Sequence, residues 1–404
     1  MTYQKLFHYY KQQSVLPTFG NLEDEAALAR YAENRRRLFT DKLHLPPAIF
    51  RDATMIEFGP DSGENAMVFA RWGARMTLVE PNPNAHDHIR AYFNRFGLSS
   101  ALQDVVQADV EGFAKEEPSA PLAEVIDAEG FVYTIQPTEK WLKAFARLLR
   151  PDGFAVVSYY ERCGAFFELA LRAIHTAAKA LSGSDALVTA WALYETKWKS
   201  IPHTRKFESW VMDVLENPFV RLKYFLSADA LCKAAQETGF ALYSSWPGYR
   251  APLEVYWHKH ILPPGEARCR DSAHLARSSL SFMAGESLYL TGPEDRVATT
   301  NRIIAAASEA IDQIIQSPTA ASLDACLPAL AMLGAEVQEV PLLASKPGAA
   351  QRYVAVIEAL KAVLTALRNG DFPAARRITN ESQALIGHWG IPGHYAVFRR
   401  VSDG

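Results

Sequence analysis

The sequence predicts an α/β protein: a mostly parallel sheet covered by helices on both faces, with a helical insert and an all-α C-terminal region. Three observations lead there. Strand-like and helix-like runs alternate from residue 53 to residue 161 with short turns, the pattern of parallel strands joined by crossover helices. Acids stand at or just past the ends of four of those strands: Glu57, Glu80, Asp109 and Glu129. Beyond Glu161 the alternation stops and helical periodicities take over.

The elements follow in order. Asn21 is placed to cap a helix through "LEDEAALARYAENRRRLFTDKL", with acids in its first turn and arginines near its end. Arg35–Arg37 read as a solvated face at the negative end of the helix dipole rather than as contacts to nucleic acid. "LPP" at 45–47 ends that helix. "TMIEF" reads as a buried strand, "GENAMVFARWG" as a helix, "RMTLVEP" as a strand and "NAHDHIRAYFNRFG" as a helix. "LQDVVQADV" and "AEVIDAEGFVYTI" are the next strands, "TEKWLKAFARLLR" a helix and "GFAVVSYYE" a strand. An aromatic-rich helical stretch fills 165–223. Then "SADALCKAAQETGF" reads as a helix capped by Ser227, and "ALYSSWP" and "LEVYWHKHI" as strands that pair across "GYRAP" as an antiparallel edge. "LPPGEAR" (262–268) reads as a linker, followed by helices over 295–316, 320–334, 348–369 and 371–387. The division expected is an N-terminal helical segment (1–48), a sheet domain (49–264) carrying a helical lid at about 165–223, and a helical C-terminal domain (270–404).

Bulk properties narrow the function. The 404 residues are 49 % apolar, enough for two or three domains with real cores. A net charge of −3 disfavours nonspecific nucleic-acid binding. Four widely spaced cysteines show neither zinc spacing nor a disulfide framework, so no metal and a cytoplasmic, reducing location are expected. The N-terminus lacks an apolar signal core. The stretch 165–183 is broken by Glu168, Arg172, His175 and Lys179, which suits an amphipathic helix and not a membrane span.

The loop "EFGPDSG" carries the ligand argument. A backbone turning sharply beneath a ligand needs glycine, and Gly59 and Gly63 meet that need. Glu80, at the end of the next strand, is placed to accept protons from both hydroxyls of a ribose; Asp109 ends the strand after that. The spacing therefore points to an adenosine-containing ligand. The dinucleotide fingerprint G-x-G-x-x-G is not met, and Asp61 would face a pyrophosphate. Two like charges ~4 Å apart repel by about 4 kcal/mol at an effective dielectric of 20. A methionyl tail bearing a sulfonium avoids that repulsion. Glu57 and Glu80 as helix caps or arginine partners, and Asp109 as a turn residue, are the structural alternatives.

The segments "EFGPDSGENA", "LVEPNP", "VQADV", "VIDAEGFVYTI" and "LLRPDGFAVVSYYE" resemble the class I S-adenosylmethionine-dependent methyltransferases. The resemblance covers about 50–160 well and 225–260 loosely, and Asp61 stands where the family's first motif has its middle glycine. It implies a Rossmann-like seven-stranded sheet and S-adenosyl-L-methionine as cofactor, with S-adenosyl-L-homocysteine as product. The site it implies comprises Glu57, Phe58, Gly59, Pro60 and Gly63 in the first motif, Glu80 and Pro81 at the ribose, Asp109 and Val110 at the adenine, and Glu129 and Gly130 at the methionine end.

A sulfonium methyl needs chiefly an acceptor held in line with it, and a base only where the acceptor must lose a proton. His203, Asp213 and Tyr160 are the catalytic candidates, with Glu161 beside them; a solvated or structural role is the alternative for each. Trp191, Tyr194, Trp198, Phe207, Trp210 and Phe219 either pack between helices or line an acceptor pocket. The leading expectation is O- or N-methylation of a small molecule or glycan. No N/D-P-P-Y/F motif marks a nucleic-acid substrate. A non-catalytic adaptor and a nicotinamide oxidoreductase are the competing readings, and helices over 295–387 offer a face for a homodimer.

Overall fold

The computed structural model describes residues 9, 22, 24–116, 123–201, 206–252 and 263–401. They divide into two compact units. The first comprises Met1–Tyr159, Ala228–Tyr249 and His394–Gly404; the second comprises Tyr160–Ser227 and Arg250–Gly393.

The first unit is the sheet domain. Its elements are α1 (Glu25–Arg37), β1 (Thr54–Phe58), α2 (Glu64–Arg71), β2 (Arg75–Val79), α3 (Pro83–Arg95), β3 (Leu102–Val106), α4 (Val110–Glu116), β4 (Ala123–Glu129), α5 (Glu139–Leu148), β5 (Leu149–Tyr160), α6 (Ala228–Glu237), β6 (Phe240–Trp246) and β7 (Gly393–Arg400). The seven strands lie in the order β3-β2-β1-β4-β5-β7-β6. β1 runs parallel to β2 and β4, β3 to β2, and β5 to β4, while β6 and β7 are antiparallel. This is the Rossmann-like sheet expected. Helices on both faces explain why β1 reads as an apolar run: Met55, Ile56 and Phe58 are all buried.

α1 starts one turn later than its sequence signal. Asp24, not Asn21, is the cap, accepting the Ala27 N–H at 2.7 Å; Asn21 lies outside the described residues. The helix runs into a π-helical turn at Leu38–Lys42 and gives way before the prolines, as expected. Behind it Phe39, Phe50, Phe69 and Trp72 form an aromatic cluster with centroids 5.2–5.7 Å apart.

The C-terminal boundary is corrected. β6 pairs not with a following hairpin strand but with β7, from the far end of the chain; "LEVYWHKHI" lies outside the described residues. Residues 393–400 therefore belong to the sheet and not to a helical domain. Val397 and Phe398 are fully buried there. "HYAVFRR" is short and ends in two arginines, so nothing local marks it as an inner strand.

The second unit joins the insert to the C-terminal helices. Helices Phe166–Ser182, Ala186–Lys199, Pro264–Ala284, Glu294–Gln316, Ala320–Glu339, Ala349–Arg368 and Phe372–Glu381 surround one apolar core, with a two-stranded ribbon Leu288–Leu290/Leu342–Ala344. Phe166–Ser182 keeps the amphipathic pattern expected but is covered along most of its length. Glu168, Arg172 and His175 are buried with its apolar residues, so it needs neighbours on all sides. His175 meets Glu216 at 2.7 Å, and Arg221 forks onto Asp312 at 2.7 and 2.9 Å. The first pair is internal to the insert, and the second ties it to the helices after it. The expected linker 262–268 is instead the start of helix Pro264–Ala284. Among the insert aromatics, Tyr194, Phe207, Trp210 and Phe219 are core residues, whereas Trp191 is 39 % exposed. Among the described helices Ala320–Glu339 is long and apolar enough to cross a membrane, yet Leu323, Leu330, Leu333 and Val337 are buried inside this unit.

A chain ending at Pro392 will lack an inner strand of the first unit. It should lose the cooperative melting transition followed by circular dichroism, while a chain ending at Val401 should melt like the full protein.

Candidate functional site

In a doubly wound sheet the ligand crevice opens beyond the carboxyl ends of the strands where strand order reverses. Here that point lies between β1 and β4. The loop after β1 is tied to its neighbours by backbone: Gly59 N–H donates to the Val79 carbonyl at 2.9 Å and Gly63 N–H to the Pro60 carbonyl at 2.8 Å. Gly59 has φ +64°, and a Cβ there would stand 3.0 Å from the Phe131 ring. Asp61, which replaces the glycine the first motif calls for, also takes a left-handed conformation (φ 52°). Aspartate is among the few residues that adopt it readily, so the loop keeps its shape.

Glu80 sits one residue past β2 and is only 7 % exposed. Its carboxylate accepts the Asp61 N–H at 3.1 Å and the Asn82 N–H at 2.7 Å, one on each oxygen. His86 holds the Glu80 carbonyl oxygen at 2.7 Å. Burial pushes the Glu80 carboxyl up to about 7, although the two N–H donors pull the other way. Pro81 and Asn82 follow, and Asn82 caps α3 through the Asn84 N–H. Asp109 is half-buried; its Oδ1 accepts the Gly112 N–H at 2.7 Å and so caps α4, with Val110 buried behind it. One of its two oxygens is thus taken by the helix start, in keeping with the turn-residue alternative. Phe58 serves the core: its ring stacks on Phe145 at 5.4 Å, so it can meet a ligand only through backbone.

Glu57 and Glu129 behave differently from the carboxylates of a ligand rim. Glu129 is locked. Arg35 forks onto it, with one bond of 2.9 Å, and the Tyr395 hydroxyl donates to Oε2 at 2.9 Å. Burial would raise its carboxyl, but the Arg35 guanidinium holds it below the usual range. Its place at the methionine end is therefore corrected to that of an ion-pair anchor; Gly130 (φ +79°) turns the chain beyond it. Arg35 is buried too, over the faces of Phe39 and Phe69, while Arg36 and Arg37 lie at the surface on Glu33. The solvated-face expectation holds for two of the three arginines and fails for Arg35. Glu57 is 2 % exposed, and Asp127 beside it is fully buried. Burial first, and then Glu129, pushes Glu57 up to about 8 and Asp127 well above its ordinary range.

Arg35, Asp127 and Tyr395 were absent from the expected site. Arg35 had a signal: Leu28, Tyr31, Arg35 and Phe39 share one helix face, and the other three are apolar or aromatic. Asp127 is an acid inside a buried strand run, another usable sign. Tyr395 had none. Of the catalytic candidates, Tyr160 and Asp213 fall in the second unit. The Tyr160 ring lies 5.2 Å from that of Phe225, and Asp213 is half-buried in the π-helical turn Val211–Leu215. His203 lies outside the described residues. Among the described residues, no group of three or more His, Cys, Asp or Glu is placed to hold a metal ion.

Arg35→Ala should strand the Glu129 charge and lower stability in urea unfolding by about 3–5 kcal/mol, and adding Glu129→Gln should recover part of the loss. Glu57 ordinarily titrates near 4.5 and in the fold near 8, so folding is weakened as pH rises between those values. Glu57→Gln should flatten the dependence of stability on pH over about pH 5–8, and an unchanged slope would contradict its burial as an acid.

Comparison with known proteins places the chain. A search of curated protein sequences finds no match. Among solved structures, a Galdieria sulphuraria protein named as a sarcosine dimethylglycine methyltransferase is 11 % identical with a TM-score of 0.37, over 99 % of this chain and 98 % of that one. The [4+2]-cyclase SpnF is 11 % identical with a TM-score of 0.38, over 99 % and 96 %. The N-methyltransferase NodS from Bradyrhizobium japonicum WM9, in complex with S-adenosyl-L-homocysteine, is 16 % identical with a TM-score of 0.27, over 40 % and 74 %. Likeness at this level transfers no activity. The profile of the family described as "Methyltransferase domain", however, matches residues 31–245, more than half of the chain. Together with the strand order 3-2-1-4-5-7-6 and the loop after β1, this match shows that the chain belongs to the methyltransferase-domain family, of the class I S-adenosylmethionine-dependent kind.

Proposed function

We propose that the protein is an S-adenosyl-L-methionine-dependent methyltransferase acting on an oxygen or nitrogen of a small-molecule or glycan acceptor. The observation that carries this reading is Glu80: a buried carboxylate past β2, aimed by two backbone N–H groups beside the glycine loop. Each oxygen accepts one backbone bond and keeps capacity for a second, the complement of a ribose diol. The residues fit the cofactor in a further respect. Gly59 leaves room over Phe131 that a Cβ would fill.

The cofactor supplies a methyl group already activated as a sulfonium. The protein's own part is to bind and orient. Glu80 would hold the ribose, the second oxygen of Asp109 and the Val110 N–H would serve the adenine, and the Gly59–Gly63 loop would pass beneath the methionyl portion. Rate then comes mainly from holding the acceptor in line, which supplies several kcal/mol as effective molarity. Tyr160, Asp213 and His203 remain the proposed proton acceptors for a hydroxyl or ammonium. The four cysteines are free thiols, which supports work in a reducing, cytoplasmic setting.

Calorimetry with S-adenosylmethionine, S-adenosylhomocysteine and NAD tests the reading: the first two should bind and NAD should not. Binding of NAD alone would replace it with the oxidoreductase. Glu80→Ala should weaken S-adenosylhomocysteine about tenfold or more, the loss of a charged hydrogen bond. Ribose hydroxyls donate to the ionised carboxyl, which burial makes scarce below about 7. Affinity of the wild type should therefore fall as pH drops below neutrality and level off above it, and Glu80→Gln should remove that trend.

A further inference from the structure

The helix α1 holds the sheet domain on both sides of the ligand crevice. Tyr31 and Arg35 stand one turn apart on it and so share a face. The Arg35 guanidinium takes Glu129 at the carboxyl end of β4, and Gly130 (φ +79°) follows with its N–H on the Ser158 carbonyl at 3.1 Å. The Tyr31 hydroxyl donates to Asn65 Oδ1 at 2.6 Å. Asn65 is the second residue of α2, directly after the Gly59–Gly63 loop. Strand order reverses between β1 and β4, so one of these contacts falls on each side of the opening.

The bond from Tyr31 does work that a helix cap does elsewhere. α1 and α3 begin on the side chains of Asp24 and Asn82, each accepting a backbone N–H of the first turn. α2 begins on Gly63, which brings no side-chain bond. The backbone of Gly63 is left-handed (φ +90°), and a Cβ there would lie 3.3 Å from Ile89 Cγ1, so a capping side chain would be both strained and crowded. The junction of loop and helix is therefore held from outside, by Tyr31 through Asn65. Burial pushes the Tyr31 phenol above its ordinary range, with Arg35 opposing, so the hydroxyl remains a donor through neutral pH.

We infer that Tyr31 is a positioning residue for the cofactor: through Asn65 it sets the loop after β1 against the methionyl portion of the ligand. This rests on the methyltransferase reading and adds to it a residue that tunes affinity for the amino-acid end. The nucleoside end falls to Glu80 and Asp109, at the ends of β2 and β3, and neither bonds to α1. Loss of the Tyr31 hydroxyl therefore weakens the hold on the methionyl portion more than the hold on the nucleoside.

The test is isothermal titration of the full chain with S-adenosylhomocysteine and with methylthioadenosine, which carries the same nucleoside and thioether but lacks the amino-acid end. Tyr31→Phe keeps the ring and removes the hydroxyl. It should weaken S-adenosylhomocysteine roughly three- to tenfold, the worth of one net hydrogen bond, and leave methylthioadenosine within about twofold. Asn65→Ala removes the acceptor and should give the same pattern; it also carries the readout if Tyr31→Phe does not fold. The double variant should bind no more weakly than either single one, because both break one bond. A purely structural bond would lower the melting midpoint and shift both ligands by a common factor. That result, unchanged affinities in both variants, or losses that add in the double variant would overturn the proposal and leave the cofactor assignment standing. Failure of both ligands to bind the wild type would overturn both.

Discussion

The buried pair of Arg35 and Glu129 is the interaction on which the sheet domain depends. It joins three distant parts of the chain: α1 supplies the guanidinium, β4 the carboxylate and β7 the Tyr395 hydroxyl. A carboxylate this deep is tolerable only when paired and hydrogen-bonded, and here both conditions are met. The pair thereby seats the N-terminal helix over the aromatic cluster of Phe39, Phe50, Phe69 and Trp72, where the Arg35 stem and plane also pack.

That arrangement divides the acids of the domain into two kinds. Glu80 and Asp109 are held by backbone N–H groups at strand ends, each still able to accept from a ligand. Glu57, Asp127 and Glu129 lie inward, and the one guanidinium among them, Arg35, pairs with Glu129. The first kind suits hydroxyl and amine donors; the second is withdrawn from solvent, with burial raising the Glu57 and Asp127 carboxyls and Arg35 holding Glu129. Both follow from parallel strands that end together at the reversal of strand order.

Much of this was legible in the chain. Alternation placed β1–β5 and their helices, because a sheet covered on both faces imposes buried runs with short turns. The glycines at 59 and 63 and the acid at 80 were readable because backbone conformation and strand-end position are local properties. Arg35 was misread although its spacing put it on the face of Leu28 and Phe39, since a run of three arginines at a helix end ordinarily faces water. Glu129 was misassigned for the complementary reason: its strand-end position says nothing of a partner almost a hundred residues away.

By itself, then, the sequence determined the α/β class, the strand-to-helix order through residue 160, and the loop and carboxylate that mark the ligand crevice. These rest on periodicity and turn chemistry, which act over a few residues. Only the tertiary structure decided that residues 393–400 enter the sheet between β5 and β6, that the insert shares one core with the later helices, and which acids are paired. The reason is physical: strand neighbours and buried ion pairs are chosen by long-range closure and by the charge left uncompensated, and no local window of residues contains either.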